Sequence, residues 1–125
     1  MKTGEQTSVI IVEESGSIKV AQLTRAEYLE EYLERSVLTT LHDNLMEVAK
    51  TGSSLVIDFS GVERISVVVF RTMVTIEQYL KTCNSRLILC GMCPGVSAVF
   101  DTMRTNMAFV IVDNRSAAIE RIKDE

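Results

Sequence analysis

Two apolar runs near the start of the chain, SVIIVEE (8–14) and SIKVAQL (17–23), flank Ser15-Gly16. β-Branched residues on either side of a Ser-Gly turn signal predict a β-hairpin. In the Leu- and Glu-rich stretch that follows, Leu38, Leu41, Leu45 and Val48 recur at helical spacing, with Ser36 as a candidate N-cap and Gly52 as the stop. The piece before it, 26–34, carries Tyr28, Leu29, Tyr32 and Leu33 at i, i+1, i+4 and i+5. That spacing predicts either a separate short helix or an extension of the main one.

From residue 53 onward strand and helix patterns alternate. SLVIDF (54–59) reads as a short apolar strand. Phe70, Met73, Val74, Glu77 and Leu80 then keep helical period over about 67–82. RLILC (86–90) is the next strand, and PGVSAVFDTMRT is a helix with Pro94 at its first position and Val96, Val99, Phe100 and Met103 on one face. AFVIV gives a last strand and NRSAAIERIKDE a terminal helix. The order β-β-α-β-α-β-α-β-α predicts an α/β fold: a mixed β-sheet with an N-terminal hairpin, parallel neighbours joined by right-handed crossovers, and α-helices packed against the sheet.

Composition narrows the function classes. A chain of 125 residues with 46% hydrophobic content is expected to form a single domain over 1–125 around one core. Its 13 Lys+Arg against 17 Asp+Glu give a net charge of −4 with no basic block, so no nucleic-acid partner is expected. The N-terminus lacks the apolar segment of a signal peptide, and no apolar run approaches the roughly 20 residues that span a bilayer. The expectation is a cytoplasmic protein with no membrane partner. Three cysteines, Cys83, Cys90 and Cys93, do not form an even disulfide framework and fit a reducing compartment.

Ser66-Val67-Val68-Val69-Phe70 opens the 67–82 helix, although three valines cost a few tenths of a kcal/mol each in helix propensity. Ser66 there reads as an N-cap, with a phosphate beside the free N–H groups as the sharper alternative. The remaining chemistry is thin. Cys90-Gly91-Met92-Cys93 has the C-x-x-C spacing of a redox pair before a helix, against a reading of both thiols as packing residues. His42 is the only histidine and reads as a solvated helix residue, so neither a zinc site nor a Ser-His-Asp triad can be assembled. No phosphate-binding glycine motif is present, Asp58 and Glu63 are not an evident acid/base pair, and Asp101 and Arg104 read as a surface pair. No enzyme activity, catalytic residue, metal or cofactor is expected.

The hairpin, the Leu-rich helix ending AKTGSSLVIDFSGVERIS, the segment RLILCGMCPGVSAVFDTM and the final FVIVDNRSAAIERI together resemble the STAS domain of anti-sigma factor antagonists and sulfate-transporter tails, over nearly the whole chain. Such domains commonly carry D-x-S-x-V in the third strand, matched here by Asp58, Ser60 and Val62. A turn written D-S-S-G-L or S-S-A-A-L follows, and its second residue is a serine phosphorylated by a partner kinase anti-sigma factor. Ser66 falls on the residue before that phosphoacceptor and Val67 on the phosphoacceptor itself, with Val68, Val69 and Phe70 replacing the small residues and leucine. A phosphate would add about −1.5 to −2 charges at neutral pH, enough to repel an acidic partner surface. The resemblance thus implies a protein-binding domain of a bacterial partner-switching pathway whose usual switch is lost.

Its partner would be a serine kinase-like anti-sigma factor, docked on Ser60, Gly61, Arg64, Ser66, Val67, Val68 and Arg71 along the 60–73 turn and helix, with the 91–95 loop beside it. Two other readings remain open: a scaffold subunit that assembles with other STAS-domain proteins in a stress-sensing complex, and a thiol redox protein using Cys90 and Cys93.

Overall fold

The computed structural model describes residues 5–6, 9–29, 37–103 and 109–124. Ser36, Arg104 and residues 30–34 of the early helical segment therefore lie outside the described residues. The hairpin joins β2 (Ile10–Ser15) to β3 (Ile18–Leu23), closed by the pair Ser15↔Ile18, with β1 (Glu5–Gln6) antiparallel along the outer edge of β2. Its loop is Gly16-Ser17, one residue later than the expected turn. Gly16 takes φ 65, as the first central position of a type II′ turn demands.

The main helix is α1 (Val37–Ala49), which buries Leu38, Leu41, Leu45 and Val48 as their spacing predicts. After it come β5 (Leu55–Asp58), α2 (Val67–Thr82), β7 (Leu87–Cys90), α3 (Pro94–Thr102), β8 (Val110–Val112) and α4 (Arg115–Lys123). Among the described residues the sheet is six-stranded and mixed, in the order β1-β2-β3-β5-β7-β8, with every pair from β3 onward parallel.

Each crossover steps one strand along the sheet, and α1, α2 and α3 all pack on one face, the arrangement that crossovers of a single hand produce. That face holds the main core, including Ala21, Leu23, Ile57, Leu87 and Leu89 from the strands, Phe59 just after β5, and Leu41, Leu45, Met73 and Ile76 from the helices. The central strands β5 and β7 are buried along their whole length, which explains their uninterrupted apolar runs. On the opposite face a smaller cluster of Val20, Val56, Ile88 and Cys90 is covered by α4 through Ala118, Ile119 and Ile122.

One expectation fails. The segment expected to be helical from residue 26 instead begins with β4 (Glu27–Tyr28), which pairs in parallel with β6 (Arg64–Ile65), a strand the pattern did not predict. Tyr28 is fully buried; its hydroxyl donates to the Val9 carbonyl at 2.6 Å and accepts the Thr24 and Arg25 amides at 2.9 and 3.1 Å. Three hydrogen bonds fix the ring under the hairpin and hold its backbone extended against Ile65, which local helix propensity cannot outweigh. Burial accordingly pushes the Tyr28 hydroxyl above its usual pKa.

Candidate functional site

Asp58 ends β5 and turns the chain out of the sheet. Its Oδ1 accepts two hydrogen bonds from Ser60, from the amide at 2.9 Å and from the hydroxyl at 2.7 Å, while the Val62 amide donates to the Phe59 carbonyl at 2.9 Å. Gly61 takes φ 87 at the exposed tip of the turn, and Val62 returns to the core. Each position of D-x-S-x-V thus has a local reason: a carboxylate to tie the turn, a hydroxyl and amide to be tied, and an apolar residue to anchor the far side.

The turn is supported from beside it. Gly91, just after β7, has φ +73, and a Cβ there would lie 2.6 Å from both Asp58 Oδ1 and Ser60 Oγ, so only glycine fits. Cys93 donates its S–H to the Val62 carbonyl at 3.4 Å, and a Cβ at Gly95 would come within 3.1 Å of the Glu63 carbonyl. The 91–95 loop therefore lies against the 60–63 turn.

The chain then runs through β6, where Arg64 meets Glu27 at 3.2 Å in an exposed ion pair worth little by itself. The Ser66 amide donates to the Tyr28 carbonyl at 2.8 Å, which sets the chain extended just before α2. Ser66 is the N-cap of α2 (φ −83, ψ 158), its Oγ accepting the Val68 amide at 3.0 Å. Val67, 38% exposed, faces solvent at the start of the helix; Val68 is half-buried against the core, and Val69 and Phe70 are buried. Ser60, Gly61, Arg64 and Arg71 are exposed. Of the expected docking residues, Ser60, Gly61, Arg64, Val67 and Arg71 are therefore exposed, and Ser66 and Val68 half-buried.

Phe70, where a leucine is usual in the resemblance, is absorbed by an aromatic cluster: its ring meets Phe100 at 5.3 Å and Phe109 at 5.7 Å, both edge-to-face. The valine triplet is tolerated because Val69 points into the core.

The two thiols of the C-x-x-C segment sit in different surroundings. Cys90 is buried, and burial, followed by the charge of Asp58, pushes its thiol up to about 12, with Arg115 opposing. A redox cysteine needs the reverse shift. Cys93 is a half-buried free thiol directed at backbone carbonyls. His42 is half-buried rather than solvated, its Nδ1 3.2 Å from the hydroxyl of buried Thr72 between α1 and α2. Among the described residues no group of three or more His, Cys, Asp and Glu could hold a metal ion, and no helix is long and apolar enough to cross a membrane.

Sequence reasoning missed Arg115, which meets the second oxygen of Asp58, and Gln22 and Glu13, which the same guanidinium binds. A local signal existed for one of them: an arginine at the first position of a helix opposes the macrodipole unless an anion meets it.

The STAS domain family matches residues 2–118. The chain belongs to the STAS domain family. A search of curated proteins finds no match. Among solved structures, an anti-sigma factor antagonist from Mycobacterium paratuberculosis superposes with TM-score 0.77 at 16% identity, covering 92% of this chain and 93% of that one. The anti-sigma factor antagonist SpoIIAA in its unphosphorylated form gives 0.68 at 14% identity, over 93% and 99% of the two chains. A chain of the stressosome, described as a signal integration and transduction hub, gives 0.65 at 17%, over 90% and 96%. At these identities the structures establish the STAS fold, and the functional turn has to be argued from this chain's own residues.

Proposed function

We propose that this STAS domain works by binding protein, as an anti-sigma factor antagonist in a bacterial partner-switching pathway, and that its phosphorylation switch is absent. Its partner is a serine kinase-like anti-sigma factor, met in the cytoplasm by the surface of Ser60, Gly61, Arg64, Ser66, Val67, Val68 and Arg71. The domain acts by contact and carries out no reaction itself.

The observation that carries this reading is the start of α2. The solvent-facing position there is Val67, which has no hydroxyl, and Ser66 is turned to cap the Val68 amide. An exposed valine with exposed Arg71 one helical turn away offers a small apolar contact beside a cation. Without a phosphate to repel the partner, association is constitutive or set by another input.

The test is complex formation with a kinase-type anti-sigma factor of the native host, with and without ATP. A complex that survives prolonged ATP, with no phosphate on the chain, is the expected result. Stoichiometric phosphate on Ser66 by phosphopeptide mapping, with release of the partner, would show a working switch and overturn the reading. One observation favours a second reading as a scaffold subunit: edge strand β8 exposes Ile111 at 44%. Light scattering after size exclusion separates the two, since a scaffold subunit self-associates and a simple antagonist stays monomeric.

A further inference from the structure

Asp58 has two carboxylate oxygens with separate tasks. Oδ1 holds the Ser60 amide and hydroxyl; Oδ2 is met by Arg115 Nε at 3.3 Å, from the first turn of α4 on the other side of the sheet. The same guanidinium donates through Nη2 to Gln22 Oε1 at 2.8 Å and through Nη1 to Glu13. With its oxygen so engaged, the Gln22 amide nitrogen is directed at backbone carbonyls, those of Ser60 at 3.0 Å, Leu23 at 3.1 Å and Asp58 at 3.3 Å.

Two routes therefore run from Arg115 to Ser60. One passes through the Asp58 carboxylate to the Ser60 amide and hydroxyl, the other through the Gln22 amide to the Ser60 carbonyl. A planar fork with five donors on three nitrogens reaches acceptors set apart around it, whereas the three donors of a lysine all sit on one compact ammonium. The nearly buried Asp58 carboxylate has no other cation among the bonds and ion pairs described around it.

We propose that Arg115 is the positioning residue of the 60–62 turn: α4, packed on the face opposite α2, sets the orientation of Asp58 and Gln22 and through them the shape of the docking surface. That the turn is used for docking rests on the proposed function; the clamp does not.

Amide hydrogen exchange on the intact chain tests the clamp without any partner, so its failure is distinct from failure of the docking reading. In Arg115→Ala the Ser60 amide is expected to exchange about tenfold faster, the loss of about one hydrogen bond's net worth, while the Ile57 and Leu89 amides in the sheet stay within about twofold. Arg115→Lys, which keeps the charge but not the fork that spans Asp58, Gln22 and Glu13, falls between. Arg121→Ala, at an exposed position of the same helix, leaves Ser60 unchanged. Unaltered Ser60 exchange in folded Arg115→Ala would overturn the proposal. So would equal acceleration of Ser60, Ile57 and Leu89, which would make Arg115 a general stabiliser. Should the alanine variant lose its fold, the lysine variant carries the same local-against-global comparison.

Discussion

The two turns that frame the candidate surface are held in opposite ways. At the 58–62 turn every side chain is committed: Asp58 to Ser60 and Arg115, Ser60 to Asp58, Val62 to the core, with Gly91 leaving no room for a methyl group. At the 66–70 turn the cap and the buried Val69 and Phe70 are committed, but Val67 is partly open to solvent at the start of the helix. The first turn keeps the family pattern and the second departs from it. On the proposed function, the departure lies where change costs the fold least, at the exposed first residue of α2.

Variants at the first turn should therefore break the fold and variants at the second should not. The largest effect is expected from Gly91→Ala, which forces a side chain into positive φ and drives its Cβ to 2.6 Å from two oxygens; a loss of about 3 kcal/mol is expected in urea denaturation. Wild-type stability there would mean that the turn yields easily, and the contrast between the turns would collapse. Asp58→Ala follows at about 2 kcal/mol, because it leaves the Ser60 donors and Arg115 without their acceptor, although Arg115, one-third exposed, recovers part of its loss in water. Asp58→Asn keeps an oxygen for Ser60, and should lose less.

How much of this could be read beforehand depended on whether the controlling contacts were local. The bounds of α2 match the expected 67–82 because its cap and its apolar period lie within the segment itself. D-x-S-x-V was legible for the same reason, since Asp58 and Ser60 are two residues apart. Tyr28 was misread because its conformation is set by Val9, 19 residues away, and by pairing with Ile65. Strands as short as β4 and β6 exist through each other and carry no period of their own. The clamp was hidden most deeply: Glu13, Gln22, Asp58 and Arg115 meet through sheet order, and only the dipole-opposing arginine left a trace in the sequence.

At the second turn the expected effects are smaller. Ser66→Ala removes one N-cap hydrogen bond and should cost about 1 kcal/mol, read as a lowered urea midpoint with an unchanged slope. A cost near that of Asp58→Ala would mean that Ser66 supports more than the helix end.

Val67→Ser is the finest probe, since it should change stability by no more than about 0.5 kcal/mol at this exposed position while changing the chemistry. It returns a hydroxyl to the register in which the STAS resemblance puts the phosphoacceptor. Ser66 precedes the helix in extended backbone and its hydroxyl is taken up by the Val68 amide, so it does not stand in for a hydroxyl at Val67, the first helical residue. Incubated with a cognate kinase-type anti-sigma factor and ATP, Val67→Ser should take up phosphate where the wild type takes up little or none. Labelling of neither protein, with the partner bound to both, would place the lost function in the neighbouring Val68 and Val69 as well, whose bulk replaces the small residues of the usual motif. Val67→Ser-Val68→Ser, cut further toward that motif, then separates a missing nucleophile from a blocked approach.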